Sequence, residues 1–96
     1  MMKYKIEITK RCEKDIKKYK KKHYNMDIFL NVVRLLQNDD KEILRVRYKD
    51  HALKGDWYGF RELHLDKDWL LVYRKVDDRL ILTLTRMGSH DDLGLV

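Results

Sequence analysis

The sequence predicts an α+β fold of the order β-α-α-β-β-β, in which two N-terminal helices pack on one face of a mainly antiparallel sheet. Apolar residues alternate with period two at the start of the chain, recur at helical spacing over residues 10–37, and alternate again over residues 57–87. Turn-forming residues separate these stretches. Because an amphipathic helix must cover its apolar stripe, the helices are expected to lie against the buried side of the sheet.

The first strand and the first helix are predicted from the start of the chain. In YKIEI, residues 4–8, the apolar side chains alternate with Lys5 and Glu7, as in a strand with one buried face. Thr9 follows and provides a side-chain oxygen that can cap a helix. The apolar stripe of that helix has spacings of four, three and four residues and consists of Cys12, Ile16, Tyr19 and His23.

A second helix is predicted to begin near Asn25 or Asp27, either of which can cap it, and to end at residues 38–40. Residues 41–54, which include EILRVRY, are predicted to form a short strand or an extended loop. The buried side of the second helix consists of Phe29, Val32, Val33 and Leu36.

The C-terminal half has the pattern of a β-meander. Gly55 and Asp56 form a turn, the aspartates and lysine of residues 66–68 form a second, and Asp77 with Asp78 forms a third. The strands between and after these turns are predicted at residues 57–65, 69–76 and 79–87.

Strand pairing in this meander predicts a row of side chains across one end of the sheet. If the turns contain two residues each, His64 lies opposite Trp69 and Trp69 lies opposite Arg86. Directly opposed residues project to the same face with Cβ atoms about 5 Å apart. Asp68 and His90 then lie beside the row. A one-residue bulge in either hairpin would rotate a strand and break the row.

Length and composition predict one soluble, cytoplasmic domain spanning residues 1–96. The chain has no apolar run near the ~18 residues that cross a bilayer, so no membrane association is expected. Its first ten residues alternate charged and apolar side chains, unlike a signal peptide. The single cysteine, Cys12, excludes an internal disulfide framework and fits a reducing compartment.

The charge predicts a polyanionic partner. The 22 lysines and arginines exceed the 16 acidic residues by six, and eight of the basic residues lie within residues 10–22. Clusters of this kind bind nucleic acid or acidic proteins, although the same pattern also occurs on a solvated helix face.

The residue types around the predicted row can carry out proton transfer on a phosphate. Imidazole and carboxylate exchange protons, a guanidinium neutralises developing negative charge, and an indole offers a stacking surface for a base. Zinc is the alternative for such a group, but no histidine pair has close helical spacing and no C-x-x-C is present, so neither a metal nor another cofactor is predicted. A glycine-rich phosphate loop is also absent from the sequence.

Two segments resemble a known family. YKDHALKGDWYGFRELHLDKDWLLVYR and LTLTRMGSH, with the motifs D-H-x-L-x-G, R-E-x-H-x-x-x-D-W and R-x-G-S-H, resemble the YafQ branch of the RelE/ParE superfamily of type II toxin–antitoxin toxins. The resemblance implies a RelE-like fold with a twisted, mainly antiparallel sheet. It also implies a ribosome-dependent mRNA endonuclease that is neutralised by a cognate antitoxin, so the expected partners are that antitoxin, the ribosome and mRNA.

Matching positions in the motifs imply the site. The family chemistry is attack of an RNA 2′-hydroxyl on the adjacent phosphate, with His90 as the acid and Arg86 as the clamp on the phosphate charge. The resemblance does not decide which of the remaining catalytic candidates is the base. The catalytic set is His51, His64, Asp68, Arg86 and His90, and the predicted RNA contacts are Trp69, Arg45 and Arg47.

Two alternative functions are considered, and one residue departs from the family pattern. The alternatives are a ParE-like inhibitor that binds a protein target such as DNA gyrase and a basic RNA-binding module without chemistry. Neither needs a set of histidines beside a carboxylate and an arginine. The departure is Gly94, which stands where the family usually has an aromatic residue. We expect Gly94→Phe to increase cleavage unless Leu95 fills the same space.

Overall fold

The computed structural model describes residues 3–95 and contains a five-stranded mixed sheet with helices on both faces. The strands are β1 (Lys5–Ile8), β2 (His51–Ala52), β3 (Arg61–Asp66), β4 (Trp69–Val76) and β5 (Ile81–Gly88). The helices are α1 (Lys10–Lys21), α2 (Met26–Gln37), α3 (Lys41–Tyr48) and α4 (His90–Leu93). The strand order is β1-β5-β4-β3-β2; β1 runs parallel to β5 and the other pairs are antiparallel, so the predicted α+β class is confirmed.

Local capping explains where α1 and α2 begin. The Thr9 hydroxyl accepts a hydrogen bond from the Cys12 amide at 3.0 Å, and the Asn25 side chain accepts one from the Asp27 amide at 3.0 Å. The predicted stripe of α1 is buried at Cys12 and partly buried at Ile16, but His23 is exposed and lies past the helix end in a left-handed conformation. The inclusion of His23 in the stripe was therefore wrong.

Residues 41–48 form a helix, so the prediction of a strand or loop there was wrong. Leu44, Val46 and Tyr48 alternate with arginines, which is the pattern of a half-buried strand. In the structure Leu44 and Tyr48, four residues apart, are buried, whereas Val46 is 61% exposed. The buried spacing is helical, and tertiary packing decides between the two periods. Lys49, in the left-handed conformation, ends the helix.

The strand predicted at residues 57–65 begins only at Arg61. Residues 55–57 form a short 3-10 turn, and Gly59 has a φ of 94°, a conformation that favours glycine. Trp57 and Phe60 leave the sheet and pack edge to face with ring centroids 5.4 Å apart. This segment lies over the face of the sheet opposite to α1, where it contributes to a small apolar cluster with Leu70, Val72, Leu93, Leu53 and Leu95.

The larger core lies on the other face, beneath three helices. Side chains of α1, α2 and α3 pack there on alternate residues of the strands, such as Leu63, Leu71 and Leu82. The two faces of the sheet therefore differ: one is covered by helices, and the other is covered only by the 53–60 segment and α4. Within residues 3–95, no helix is long and apolar enough to cross a bilayer.

The predicted row of side chains does not form. The β4–β5 connection is a 3-10 turn over residues 77–79, and a bulge lies between the Val72 and Tyr73 pairs, so Arg86 lies opposite Val72 rather than Trp69. A second register shift between the His64 and Asp66 pairs places Trp69 opposite Asp66. A bulge turns the residues that follow it to the other face, and this rotation separates Trp69 from His64.

Candidate active site

Five polar residues converge on the less covered face of the sheet, near the β3–β4 turn. Glu62 and His64 alternate on β3 with the buried Leu63, and β2 pairs with β3 so that His51 lies opposite Glu62. β5 ends next to this point and α4 begins there. We call this group the histidine cluster: His51, Glu62, His64, Asp68 and His90.

His64 is the imidazole of the histidine cluster that neighbours both of the others. The ring centroids of His64 and His51 are 6.4 Å apart, and those of His64 and His90 are 5.8 Å apart. Both outer rings remain half-exposed, with side-chain exposures of 50% and 39%. A phosphate placed over His64 would therefore have imidazoles on either side.

Glu62 is a buried carboxylate between two of these imidazoles, and sequence reasoning missed it. It is 4% exposed; its Oε1 lies 3.4 Å from His64 Nε2 and 3.9 Å from His51 Nε2. A carboxylate removed from water requires polar partners, and the imidazoles supply them. If His64 directs an Nε2–H at this oxygen, its Nδ1 is left as a lone pair that can accept a proton.

His90 is held by Asp68 at two points. Asp68 Oδ1 accepts a hydrogen bond from the His90 backbone amide at 2.8 Å and one from ring Nδ1 at 2.6 Å. The backbone hydrogen bond and then the ring hydrogen bond lower the pKa of Asp68, so it remains a carboxylate. Because Nδ1 donates to the carboxylate, Nε2 of His90 is the nitrogen that is free to face a substrate.

The environment of His64 favours its neutral form. Burial lowers the pKa of His64, and the charges of His90, His51 and Lys49 lower it further, while Glu62 opposes them. A neutral imidazole at neutral pH is the form required of a general base. His64 is thus better suited to accept a proton than to donate one.

We expect His64 to titrate below its ordinary pKa of 6.5 in an NMR titration of the ring protons. Since Glu62 raises the pKa of His64, Glu62→Gln should move this titration to still lower pH. The depressed pKa also means that folding stability increases as pH rises through the interval between the folded pKa and 6.5. A His64 pKa at or above 6.5 would contradict the assignment.

Three members of the cluster could also ligate a metal ion. One ligand atom each from Glu62, His64 and His90 lies within 4.8 Å of the others. Imidazole and carboxylate are accepted by zinc and copper. In the sequence this set is a Glu-x-His pair on one strand plus a distant histidine. That spacing differs from the close helical spacings that indicate a metal site.

Trp69 lies on the opposite face of the sheet from the cluster. It is 1% exposed and packs between Tyr19 and Tyr24, at centroid distances of 6.2 and 5.0 Å. A ring this deeply buried offers no face to a nucleotide, so of the two roles open to Trp69, contact with a base and support of the site, its burial favours support. Because Asp68 precedes it directly, the buried indole instead anchors the turn that carries Asp68.

Arg86 is directed toward α1, where it forms an ion pair with the buried Asp15. Arg86 Nε lies 2.8 Å from Asp15 Oδ2, and the same oxygen accepts the Met87 amide at 3.0 Å. The carboxylate thereby bonds both the Arg86 side chain and the backbone amide of the next residue. The structure brings together four of the five predicted catalytic residues and directs Arg86 to a different contact, the Asp15 carboxylate of α1.

The two predicted RNA-binding arginines of α3 lie in different environments. Arg47 lines a cleft of about 290 Å³ with Lys49, Lys67 and His64, so it borders the histidine cluster. Arg45 lies toward another cleft and is bonded to Glu42 at 3.0 Å. Of the two, only Arg47 shares a cleft with His64.

Gly94 ends α4 in a left-handed conformation, with a φ of 68°. An added Cβ would have open space, but a side chain is strained at this φ. Leu95 packs on the apolar cluster next to Leu93, and its amide donates to the His90 carbonyl at 2.9 Å. Leu95 therefore fills space beneath α4, which supports the alternative in which Leu95 takes the place of the aromatic residue missing at Gly94.

We accordingly expect Gly94→Phe to be neutral or harmful to cleavage and Leu95→Ala to reduce it about tenfold, because loss of packing under α4 displaces His90. Initial cleavage rates in a reconstituted translation reaction measure both effects. Gly94→Ala, which carries the strain of a side chain without an aromatic ring, is the matched control. A Gly94→Phe variant faster than the parent protein would restore the stacking interpretation.

Most of the chain is similar to one family of bacterial toxins. The model of the bacterial toxin YafQ of type II toxin–antitoxin systems matches residues 4–94. The chain belongs to the YafQ toxin family. It is 36% identical over 85 residues to the mRNA interferase toxin YafQ of Escherichia coli K12, covering 88% of this chain and 89% of that protein.

Solved structures of YafQ toxins and their relatives share the fold. The Escherichia coli DinJ-YafQ toxin–antitoxin complex matches with a TM-score of 0.83 at 35% identity, covering 96% of this chain and 98% of that one. A metal-bound toxin from Helicobacter pylori matches with a TM-score of 0.83 at 39% identity, covering 97% and 99%. The resemblance noted in the two motif-bearing segments is confirmed over nearly the whole chain.

Proposed function

We propose that this protein is an mRNA endonuclease toxin that cleaves translated messages and thereby inhibits translation. The observation that carries the proposal is the pair of imidazoles of His64 and His90, 5.8 Å apart on an open face, each beside its own carboxylate. Two oriented imidazoles suit a reaction that needs one base and one acid. The protein's similarity to the mRNA interferase toxin YafQ of Escherichia coli K12, a member of the same family, supports the same reaction.

The proposed reaction is an internal transesterification of RNA. His64 accepts the proton of the 2′-hydroxyl, the 2′-oxygen bonds to the adjacent phosphorus, and the bond from phosphorus to the 5′-oxygen breaks. His90 donates a proton from Nε2 to the departing 5′-oxygen, leaving a 2′,3′-cyclic phosphate and a 5′-hydroxyl. Glu62 orients the His64 ring, and Asp68 orients the His90 ring. His51 lies next to the general base, His64, because both imidazoles contact Glu62.

Cationic groups beside the cluster are proposed to hold the RNA backbone. Arg47, Lys49 and Lys67 surround the cleft next to His64 and would contact a neighbouring phosphate. Arg86 has only Nε committed to Asp15 among its described hydrogen bonds, so its terminal NH2 groups are proposed to approach the reacting phosphate.

Ribosome dependence is proposed because the open face lacks structure that encloses a single strand. Two rings of the cluster are half-exposed, and no lid covers them within residues 3–95. Lysines of α1 and its C-terminal cap line a broad surface groove and would contact rRNA phosphates: Lys14, Lys17, Lys18, Lys20, Lys21 and Lys22. Translating ribosomes place the action of the protein in the cytoplasm.

The test compares one message free and on translating ribosomes. We expect cleavage of the ribosome-bound message, with 5′-hydroxyl ends inside the reading frame, and little cleavage of free RNA. The His90→Gln variant, purified in the same way, is the control for contaminating nuclease. Equal cleavage of both forms would contradict ribosome dependence, and inhibition of DNA gyrase without any cleavage would establish the ParE-like alternative.

A cognate antitoxin is proposed as the second partner. The structural neighbour in the DinJ-YafQ complex is bound to such a protein. The +6 net charge and the α1 lysines favour an antitoxin segment that is acidic. A segment lying across α1 would also cover the approach to α4, because Lys18 lies 3.4 Å from Asp92.

A further inference from the structure

Tyr19 is a core tyrosine of α1 whose hydroxyl bonds to the segment that carries His90. The residue is 3% exposed. Its hydroxyl donates to Asp92 Oδ2 at 2.6 Å and accepts the Ser89 backbone amide at 3.0 Å. One oxygen therefore holds the residue before His90 and a residue two positions after it.

The α4 turn depends on contacts from outside. A helix of four residues does not persist on its own, because one turn fixes several dihedral angles for few hydrogen bonds. Ser89 caps it by accepting the Asp92 amide at 3.0 Å, and Leu93 is buried beneath it. The Tyr19 hydroxyl adds the connection between this turn and α1.

The position of the hydroxyl is itself fixed by aromatic packing. The Tyr19 ring stacks on Trp69 at 6.2 Å with an interplanar angle of 19°, and Tyr24 meets it edge to face at 4.7 Å. Trp69 directly follows Asp68, the carboxylate bonded to His90. The same aromatic group thus supports both attachments of the His90 segment, one through Asp68 and one through Tyr19.

We propose that Tyr19 is a positioning residue of the endonuclease, whose hydroxyl fixes the α4 turn so that His90 faces His64 across the reacting phosphate. The proposal rests on the function proposed above and deepens it. Tyr19 acts through Ser89 and Asp92 and does not touch RNA.

Ionisation states are consistent with this role. Burial, followed by the Asp92 hydrogen bond, raises the pKa of Tyr19 to about 12, so the hydroxyl keeps its proton and donates it. The hydrogen bond from Tyr19 is the largest cause that lowers the pKa of Asp92, so the acceptor remains a carboxylate. The bond therefore joins a neutral donor and a charged acceptor at neutral pH.

The first test is Tyr19→Phe in the full chain, which keeps the ring packing and removes the hydroxyl. We expect the single-turnover rate on ribosome-bound message to fall about ten- to hundredfold, with half-saturation at an unchanged ribosome concentration. Tyr24→Phe is the matched control, because it removes a hydroxyl from the same aromatic group and that hydroxyl makes no described hydrogen bond. Its rate should stay within about twofold of the parent protein.

The second measurement observes His90 without substrate. In NMR spectra the ring signals of His90 should shift in Tyr19→Phe and not in Tyr24→Phe, and the Ser89 amide, which donates to Tyr19, should exchange faster with solvent. Unchanged ring signals together with a cleavage rate within about twofold of the parent would overturn the proposal.

Asp92 variants test the same bond if Tyr19→Phe does not fold. Asp92→Ala should reproduce the loss of rate, whereas Asp92→Asn, which keeps an acceptor oxygen, should retain most activity. Where both variants fold, the double variant Tyr19→Phe/Asp92→Ala should be little slower than Tyr19→Phe, because Asp92→Ala removes a hydrogen bond that Tyr19→Phe has already lost. Additive losses, or full activity of Asp92→Ala, would overturn the proposal.

The two measurements separate this proposal from the proposed function. A parent protein that cleaves no message would overturn the endonuclease function, and the NMR comparison would still decide whether Tyr19 holds His90. A parent protein that cleaves while Tyr19→Phe behaves identically would overturn only the role of Tyr19.

Discussion

His90→Ala is expected to lower cleavage of ribosome-bound message at least 100-fold while leaving the protein folded. His90 is the only imidazole of the cluster with a carboxylate on Nδ1 and a free Nε2, and losing a general acid commonly costs 100- to 10,000-fold. The side chain is 39% exposed at the start of a short helix, so its removal leaves little of the core unfilled. Single-turnover cleavage rates and thermal unfolding measured on the same preparation check both parts.

The control for this variant is His23→Asn. His23 is an exposed histidine outside the cluster, and asparagine tolerates its left-handed backbone. Asp68→Asn should show a smaller loss than His90→Ala, because the amide oxygen can still accept hydrogen bonds from His90. If His90→Ala retains more than about a tenth of the parent rate, His90 is not the acid.

Local patterns predicted the elements whose ends depend on local chemistry. The caps at Thr9 and Asn25 and the buried stripe of α2 follow from neighbouring residues, and the structure contains them. The helix at residues 41–48 was missed because two periods were possible. Only packing against the sheet, which buries Tyr48 and leaves Val46 exposed, decides between them.

The register of the strands could not be predicted because it depends on contacts with residues distant in the chain. The bulge in β5 is adjacent to Arg86, whose side chain bonds to Asp15, a residue 71 positions earlier in the chain. No local pattern at residues 84–86 indicates the bulge. The prediction that placed Trp69 beside His64 failed for the same reason, since the β3–β4 shift turns Trp69 into the helical core.

Strand pairing in the sequence indicated His64, Asp68 and His90 of the histidine cluster, and the motif resemblance added His51. Its members come from separate segments that the sheet brings together. Glu62 was missed because a glutamate between Arg61 and Leu63 in a strand has the ordinary pattern of a solvent-facing position. The available signal was that Glu62 and His64, two residues apart, share one face of the strand. Only pairing with β2 buries the carboxylate and brings His51 to it.

Arg86→Ala is expected both to slow cleavage at least 100-fold and to destabilise the fold by about 3 kcal/mol. The family resemblance implies that Arg86 clamps the phosphate charge, and in the structure Arg86 also forms an ion pair with Asp15, whose side chain is 7% exposed. Removing the arginine leaves a buried carboxylate with only the Met87 amide at 3.0 Å and the more distant Arg11 at 3.6 Å. Urea unfolding followed by circular dichroism measures the loss of stability, and Arg74→Ala on the exposed side of β4 is the control.

The catalytic and structural roles of Arg86 separate in a second variant pair. Asp15→Asn removes the buried charge but keeps an acceptor for the Met87 amide, so adding it to Arg86→Ala should recover most of the lost stability. If Arg86 also neutralises the reacting phosphate, the stabilised double variant should remain inactive. Arg86→Lys should retain part of the ion pair and lose the planar fork that binds phosphate oxygens, so it should be more stable than Arg86→Ala and still slow. Recovery of cleavage in the double variant would show that Arg86 acts only by satisfying Asp15 and that the phosphate clamp must be sought among Arg47, Lys49 and Lys67.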